Sequence, residues 1–509
     1  MISRRSFVKG TGGGALTLSA LSLGSVPGRA SARTSRAARR ERLRTHLTGR
    51  LVLPGDSAYP VAKQLSSAEF DAVDPAAVAY CESSADVALC LAFAQDEGMP
   101  VVARSGGHSA AGYSTTTGLV IDVSNIDSLS VRESRVVVGA GTQLVDATVG
   151  LAPHGLALSG GFCPTVALGG FLQGGGTGLL TRSAGISSDT VRAARVVLAD
   201  GRIVRASPER HTDLYWALRG GGGGNFGIVT AYEIAPTRIS ELSSATLVWG
   251  YDAAVDVLDA WAHWITDAPR ALGGSAVVAL PDATPGTVPV VSVLLSSTGG
   301  RELLDAEADR LISAVGRTPA TGQSATAPYL TAMMNLYGCG DYTAPQCHRA
   351  GTGPEAKLPR AAFASERSRL FDRPPARAMW EEAVGGFDAV RVPGQRHLLQ
   401  VGALGGAVGD PARTDTAYVH RDSLFSASFL GVIAAGPADA SDKAAARQWT
   451  DMGFGVLDPY SSGETYQNFI DPRLENWRAA YYAENYDRLV AVKRAYDPHR
   501  LFRFPQSIG

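Results

Sequence analysis

Three stretches of this chain are rich in glycine: RSGGHS at 104–109, GGFCPTVALGGFLQGGGTG at 160–178 and GGGGGNFG at 220–227. Glycine has no Cβ, so such runs let backbone N–H groups turn inward and approach an anion or another backbone closely. The 58 glycines in 509 residues exceed the usual share of about 7%, and the excess is gathered in these runs instead of being spread as in a disordered tract. None is a P-loop, because no Gly-Lys-Ser/Thr follows. GGGTG also lacks the preceding strand and the spacing of a dinucleotide-binding fingerprint. The runs point to a cofactor cradle of another kind, and Cys163 stands in the middle of the second.

The leader sets the compartment in which that cysteine is read. Ser3-Arg4-Arg5-Ser6-Phe7-Val8-Lys9 precedes a small-residue apolar stretch from about Gly10 to Val26, then Ala30-Ser31-Ala32. This is the pattern of a twin-arginine signal peptide over residues 1–32, and it predicts a secreted protein delivered by the twin-arginine export machinery. The stretch is too short and too rich in Gly and Ser for a membrane anchor. Five cysteines, Cys81, Cys90, Cys163, Cys339 and Cys347, leave at least one unpaired or chemically used in an oxidising compartment. Cys339 and Cys347 flank a Pro-containing loop of a size suited to a local disulfide. Cys90 lies in an apolar helical run and Cys81 ends a short strand. Cys163 alone has no packing role. The formal net charge of -1 offers no electrostatic reason for nucleic acid or an anionic membrane as partner.

Length allows two or more cores, since single domains stop growing at roughly 250–300 residues. From about Arg50 to Thr237 strands and turns dominate: VVARSGG, GLVIDVS, RVVVGAG and VRAARVVLADGRIVRAS, the last a hairpin through Asp200-Gly201. SADVALCLAFAQDEG reads as a helix. Residues 31–50 are arginine-rich and read as a loose N-terminus. From Ser240 to Gly453 strands such as SATLVWG, SAVVALP, VPVVSVLL, HLLQVGAL and SLFSASFLGVIA alternate with helical runs, LLDAEADRLISAV and AAARQWTDMGFG among them. That texture predicts an antiparallel sheet covered on one face by helices. Trp477, Tyr481, Leu489, Val492 and Tyr496 mark a tail helix stopped at Asp497-Pro498. His154, His211, His263, His397 and His420 share no metal-ligand spacing, and no metal is expected.

Taken together and in order, RSGGHS, GGFCPTVALGGFLQGGGTGLLTRSAGISSD, LYWALRGGGGGNFGIVT and the tail from Tyr466 to Ile508 resemble the berberine-bridge-enzyme-like oxidases. These belong to the vanillyl-alcohol-oxidase (PCMH-type) flavoproteins. The resemblance runs from about Leu51 to Ile508 and is thin in the middle. It implies an α+β architecture: a discontinuous PCMH-type FAD-binding domain of residues 51–237 and 454–509, with a substrate-binding domain of residues 238–453. It also implies the bicovalent subgroup, with FAD joined at its 8α carbon to a ring nitrogen of His108 and at ring carbon 6 to the sulfur of Cys163. Such tethers prevent loss of a cofactor outside the cell and raise its potential for hydride uptake. Backbone amides of Ser105, Gly106, Gly107, Ser109, Gly169, Gly170, Gly174, Gly175 and Gly178 would then cradle the pyrophosphate, with Arg104, Val166, Asn225, Gly227, Ile228 and Val229 also at the cofactor.

For catalysis the resemblance points to Tyr466 as the base, with Asn468 positioning it; both would also touch the flavin. A phenol ionises near about 10, so this role requires a cation or hydrogen bonds that lower it; otherwise Tyr466 is a packed tyrosine with a satisfied hydroxyl. Val166 sits where a small aliphatic side chain admits O2. Three positions depart from the family pattern: Ala167 replaces a glycine, Phe469 replaces the second tyrosine of Y-x-N-Y, and Arg500 replaces the asparagine of D-P-x-N-x-F. The expected activity is oxidation of a hydroxyl on a sugar, oligosaccharide or natural product to a carbonyl or lactone, with O2 reduced to H2O2. An oxidative cyclase or dehydrogenase of secondary metabolism, or a non-catalytic flavin- or carbohydrate-binding protein, are the other readings.

Overall fold

The apolar runs VVARSGG and GLVIDVS form the heart of a four-stranded sheet. In this computed structural model, which describes residues 36–509 apart from 133, 134, 435 and 437, β1 (Arg50–Val52), β2 (Ala77–Tyr80), β3 (Val101–Arg104) and β4 (Leu119–Asp122) pair in the order β1-β2-β4-β3. The strands β2, β4 and β3 are parallel, which requires a crossover; helix Ser84–Asp96 supplies it, with Ser83 accepting from Asp86 N at its start. The leader lies outside the described residues.

The second sheet is antiparallel, β5-β6-β10-β8-β9, from β5 (Leu129–Arg132), β6 (Arg135–Gly139), β8 (Val191–Val197), β9 (Ile203–Ala206) and β10 (Ile228–Ile234). The short β7 (Leu156–Ala157) pairs with β11 (Thr237–Arg238). The hairpin expected at Asp200-Gly201 joins β8 to β9, with Gly201 at φ 82.

Seven antiparallel strands form the third large sheet: β12 (Glu241–Gly250), β13 (Leu272–Leu280), β14 (Val290–Ser297), β15 (Thr321–Pro328), β16 (Phe363–Phe371), β17 (Gln395–Ala403) and β18 (Phe425–Ile433), in the order β15-β12-β14-β13-β17-β18-β16. Helices Ala254–Asp267, Arg301–Val315, Arg377–Gly385 and Ala440–Leu457 cover one face, and Trp261, Leu311, Trp380 and Trp449 bury against Phe371, Leu399, Val401, Phe425 and Phe429. The fold is α+β.

The first two sheets share a core that reaches far along the chain, taking in Trp477, Tyr481, Leu489, Val492, Phe502 and Ile508 from the tail. It also takes in Tyr329, Met333 and Tyr337, so helix Tyr329–Leu336 leaves the third sheet to pack here. The N-terminal stretch is more ordered than its composition predicts. Helix Arg36–His46 forms because Leu43 and Leu47, one turn apart, are buried in the same core, and Arg39 pairs with Glu97.

The tail is two helices, Trp477–Tyr482 and Tyr486–Tyr496, broken at Ala483, which has φ 39 and ψ -124. Downstream, the fully buried Lys493 donates from Nζ to Asp497 Oδ2 at 2.7 Å, Asn225 O at 2.6 Å and Phe502 O at 2.6 Å. Asp497 in turn accepts from Leu501 N and Phe502 N at 2.8 and 2.9 Å. Both charges have their partners, which is the condition under which a buried pair is tolerated. Arg500, in the asparagine position of the family pattern, adopts φ 51, a conformation that suits Asn or Gly better than Arg.

Two stability outcomes follow from the tail. Asp497→Ala leaves the Lys493 ammonium buried without its counter-charge and is expected to cost about 3–5 kcal/mol in urea unfolding. Ala483→Gly removes a strained backbone conformation and is expected to raise the unfolding free energy by about 1 kcal/mol.

Candidate functional site

The first glycine run leaves the C-terminal end of β3. Arg104 is buried, its Nε paired with Asp122 and its Nη2 donating to Ala62 O at 2.7 Å, while its Nη1 has no partner among the described residues. Ser105 donates to Ala140 O at 2.6 Å, Gly107 takes φ 70, and Ser109 Oγ accepts from Tyr113 N at 3.0 Å. The run docks on the second one. A Cβ on Gly106 would lie 2.7 Å from Ala167 N and 3.0 Å from Thr165 O, and His108 Nε2 lies 2.8 Å from Thr165 Oγ1. Burial, with Arg349 nearby, holds the His108 imidazole down at about 4, so it is neutral at physiological pH.

Cys163 lies exposed at the tip of the second run, beside Phe162 with 46% of its surface uncovered. Crowding by protein atoms raises its thiol pKa, and the charge of Glu366 adds to the rise. The loop returns through Val166, which is half-buried and whose carbonyl accepts from Leu144 N, into helix Leu168–Gly174. Gly169 N donates to Ala140 O at 2.8 Å. Gly170 is exposed, with nothing within 4 Å of its Cβ position. Beyond the helix, Gly175 has φ 133, and a Cβ on Gly178 would fall 1.6 Å from Gly160 O.

Tyr466 and Asn468 come to this same turn. The Tyr466 hydroxyl accepts from Gly176 N at 2.7 Å and from Asn468 Nδ2 at 2.8 Å. Asn468 also donates to Phe171 O at 3.1 Å. Burial pushes the Tyr466 phenol up to about 12, against the downward pull of Gly176, Asn468 and Thr177. Two hydrogen bonds of the kind that would lower the phenol are in place, and in the protein alone burial outweighs them. Its ring packs with Tyr418, Ile186 and Leu370.

The third run joins the second through Gln173, whose carbonyl accepts from Gly220 N and Gly222 N. Asn225 is spent on the tail: its Oδ1 accepts from Ile508 N at 3.0 Å, its carbonyl from Lys493, and its Nδ2 donates to Gly221 O at 3.2 Å. Gly227 has φ 153, and Ile228 and Val229 enter β10 as core residues. These four positions, expected to line the cofactor, anchor the cradle's wall.

The third sheet turns its uncovered face to this seam. Phe425, Ala427, Phe429, Leu399 and Val401 point to the helices, so by strand alternation Gln400, Ser426 and Ser428 point the other way. On β16, Leu370 packs with Tyr466 and Tyr418, placing Ser368 and Glu366 on that same side. Burial pushes the Glu366 carboxyl up to about 7, against a hydrogen bond with Ser428. Ser368 Oγ is buried without a partner among the described residues. Glu366 and Ser368 lie on β16, which pairs with β18.

These residues fit FAD. The glycine cradle leaves open space beside Gly170, and Arg104 Nη1 and Gln173 Oε1 are buried polar atoms without partners among the described residues. One is a donor suited to phosphate and the other an acceptor. Comparison with known proteins agrees. Residues 75–207 match the FAD binding domain family and residues 465–509 the family described as berberine and berberine like. The chain is an FAD-linked oxidoreductase whose C-terminal segment resembles that of the berberine-like proteins.

The oxidoreductase is 29% identical to the uncharacterized FAD-linked oxidoreductase YgaK of Bacillus subtilis over 91% of this chain and 98% of that protein. It is 28% identical to (R)-6-hydroxynicotine oxidase of Paenarthrobacter nicotinovorans, over 91% and 97%. In fold it is similar to BBE-like 1 of Physcomitrella patens, with a TM-score of 0.81 at 23% identity over 92% of this chain and 98% of that one. Chitooligosaccharide oxidase matches with a TM-score of 0.77 at 24% identity, over 92% and 99%.

Two glycines separate the roles of space in the oxidoreductase. Gly178→Ala drives a methyl into a fixed carbonyl and is expected to lower soluble yield and flavin content together. Gly170→Ala, with open space around its Cβ, is expected to keep its thermal stability and lose flavin, read as the ratio of flavin to protein absorbance.

Proposed function

We propose that this oxidoreductase is a secreted, bicovalent FAD oxidase acting on a hydroxyl of a sugar, oligosaccharide or natural product. The observation that carries the reading is the gathering of three groups at one seam: His108 hydrogen-bonded to Thr165 beside the exposed Cys163, and a Glu366 carboxyl that burial pushes up to about 7 and whose charge raises that thiol. The glycine runs, His108 and Cys163 would hold FAD there, and the chemistry it would supply is hydride acceptance from the substrate carbon with O2 as final electron acceptor, giving H2O2.

The chain's own groups do the rest. Gln400, Ser426 and Ser428 present hydroxyl and amide groups on the uncovered face of the sheet, complementary to hydroxyls of a polar, uncharged substrate. Glu366 takes the proton of the reacting hydroxyl. A carboxyl titrating near working pH is half-ionised there and suited to general-base work, whereas the Tyr466 phenol at about 12 stays protonated. Tyr466 and Asn468 hold the turn at Gly174–Gly176 in place. Half-buried Val166 leaves the flavin approach open to O2. The twin-arginine leader supports export of the folded, cofactor-loaded protein.

Acid-precipitated protein is expected to stay yellow, with peptide mass placing FAD on both His108 and Cys163; a colourless pellet overturns the tether. Anaerobic flavin reduction by a sugar or polyol substrate is expected to rise with pH through about 7 as Glu366 loses its proton. Glu366→Gln is expected to abolish that rise and slow reduction on the order of 10²–10⁴-fold, while Tyr466→Phe leaves the pH profile in place.

A further inference from the structure

We propose that Thr165 is the positioning residue that makes His108 competent to bond to the flavin, by accepting the Nε2 proton and leaving Nδ1 as the free nucleophile. The inference rests on the tethered-flavin reading and goes beyond it, to how one attachment point prepares the other.

Two contacts tie the His108 loop to the Cys163 loop. The Gly106 backbone lies against Thr165 O and Ala167 N with no room for a Cβ, at 3.0 and 2.7 Å from where one would stand. Within that docked pair, His108 Nε2 and Thr165 Oγ1 are 2.8 Å apart. Thr165 is two residues beyond Cys163 in the chain, so one short loop carries a proposed attachment atom and a hydrogen-bonding partner of the other.

A neutral imidazole carries one proton, and the nitrogen without it holds the lone pair. With Nε2–H donating to Thr165 Oγ1, that lone pair is on Nδ1. Burial and Arg349 disfavour the doubly protonated ring, so the nucleophilic form persists at neutral pH. In the attachment step Nδ1 forms a bond to the 8α carbon of FAD as a C–H bond there breaks and its proton leaves. The ring then loses its Nε2 proton through Thr165 to solvent, and the electron pair released passes by way of the isoalloxazine to O2, which with two protons becomes H2O2. Thr165 Oγ1 accepts a stronger hydrogen bond as positive charge builds on the imidazole, which lowers the barrier. Valine has the shape of threonine without the acceptor, and serine keeps the acceptor without the methyl.

The test loads wild type, Thr165→Val and Thr165→Ser with FAD and follows the mass of the His108 peptide with time, alongside the Cys163 peptide from the same digest. Wild type and T165S are expected to carry FAD on His108. T165V is expected to attach it at least tenfold more slowly while still linking Cys163. Thr165→Ala carries the same expectation should T165V fail to accumulate, and the flavin-to-protein absorbance ratio of the native protein shows that each variant folds and binds the cofactor. Undiminished attachment at His108 in a folded T165V overturns the role of Thr165 alone. An unmodified His108 in wild type overturns the tether reading, and this inference with it.

Discussion

The missing Cβ at a few glycines is the constraint on which the rest of the site depends. A Cβ would stand 1.6 Å from Gly160 O at Gly178, 2.0 Å from Asn468 Oδ1 at Gly174 and 2.0 Å from Tyr418 N at Gly220. At those three points the second run, the third run and two distant segments of chain share one narrow seam. Any larger residue there would push the segments apart and move His108, Cys163 and Glu366 relative to one another. The glycines thus act first on the protein's own packing, and the cradle for a cofactor is a consequence of that close approach.

Buried charge holds the two halves in register. Arg182 sits between them with no carboxylate partner among the described residues, donating to Ala268 O, Leu272 O and Leu404 O at 2.7, 2.8 and 2.7 Å. Burial, with Arg270 nearby, lowers it to about 10. On the helix side of β16, Arg367 pairs with Asp471 and Arg369 with Asp458, joining the sheet to the tail. Guanidinium groups suit such work because several carbonyls or a bidentate carboxylate satisfy their fixed donors. On the opposite side of the same strand Glu366 has a serine hydroxyl as its hydrogen-bond partner, and burial pushes its carboxyl up to about 7.

That contrast explains what the sequence did and did not reveal. The strands with clean apolar alternation, β12, β13, β14, β17 and β18, were legible, as were the β8–β9 hairpin and helices Ser84–Asp96 and Arg301–Val315. FASERSRLF, the β16 segment, was not read as a strand, because its covered face carries Arg367 and Arg369 where apolar residues are expected. Those arginines are neutralised by Asp471 and Asp458, 104 and 89 residues downstream, a pairing no local pattern displays. Glu366 was missed with its strand. The helix at Arg36–His46 was hidden in the same way, its arginines masking the Leu43–Leu47 pair.

By itself the sequence determined the glycine runs, the histidine and cysteine set within them, and the alternation that gives a helix-covered antiparallel sheet. Those are local properties, carried by residue type and spacing. Tertiary structure decided which groups meet: that Thr165 faces His108, that Tyr466 is buried with its hydroxyl already bonded, and that the charge of Glu366 on β16 acts on the Cys163 loop. The physical reason is that a pKa or a hydrogen bond depends on what lies nearby in space, and the chain brings those neighbours together only when its cores close.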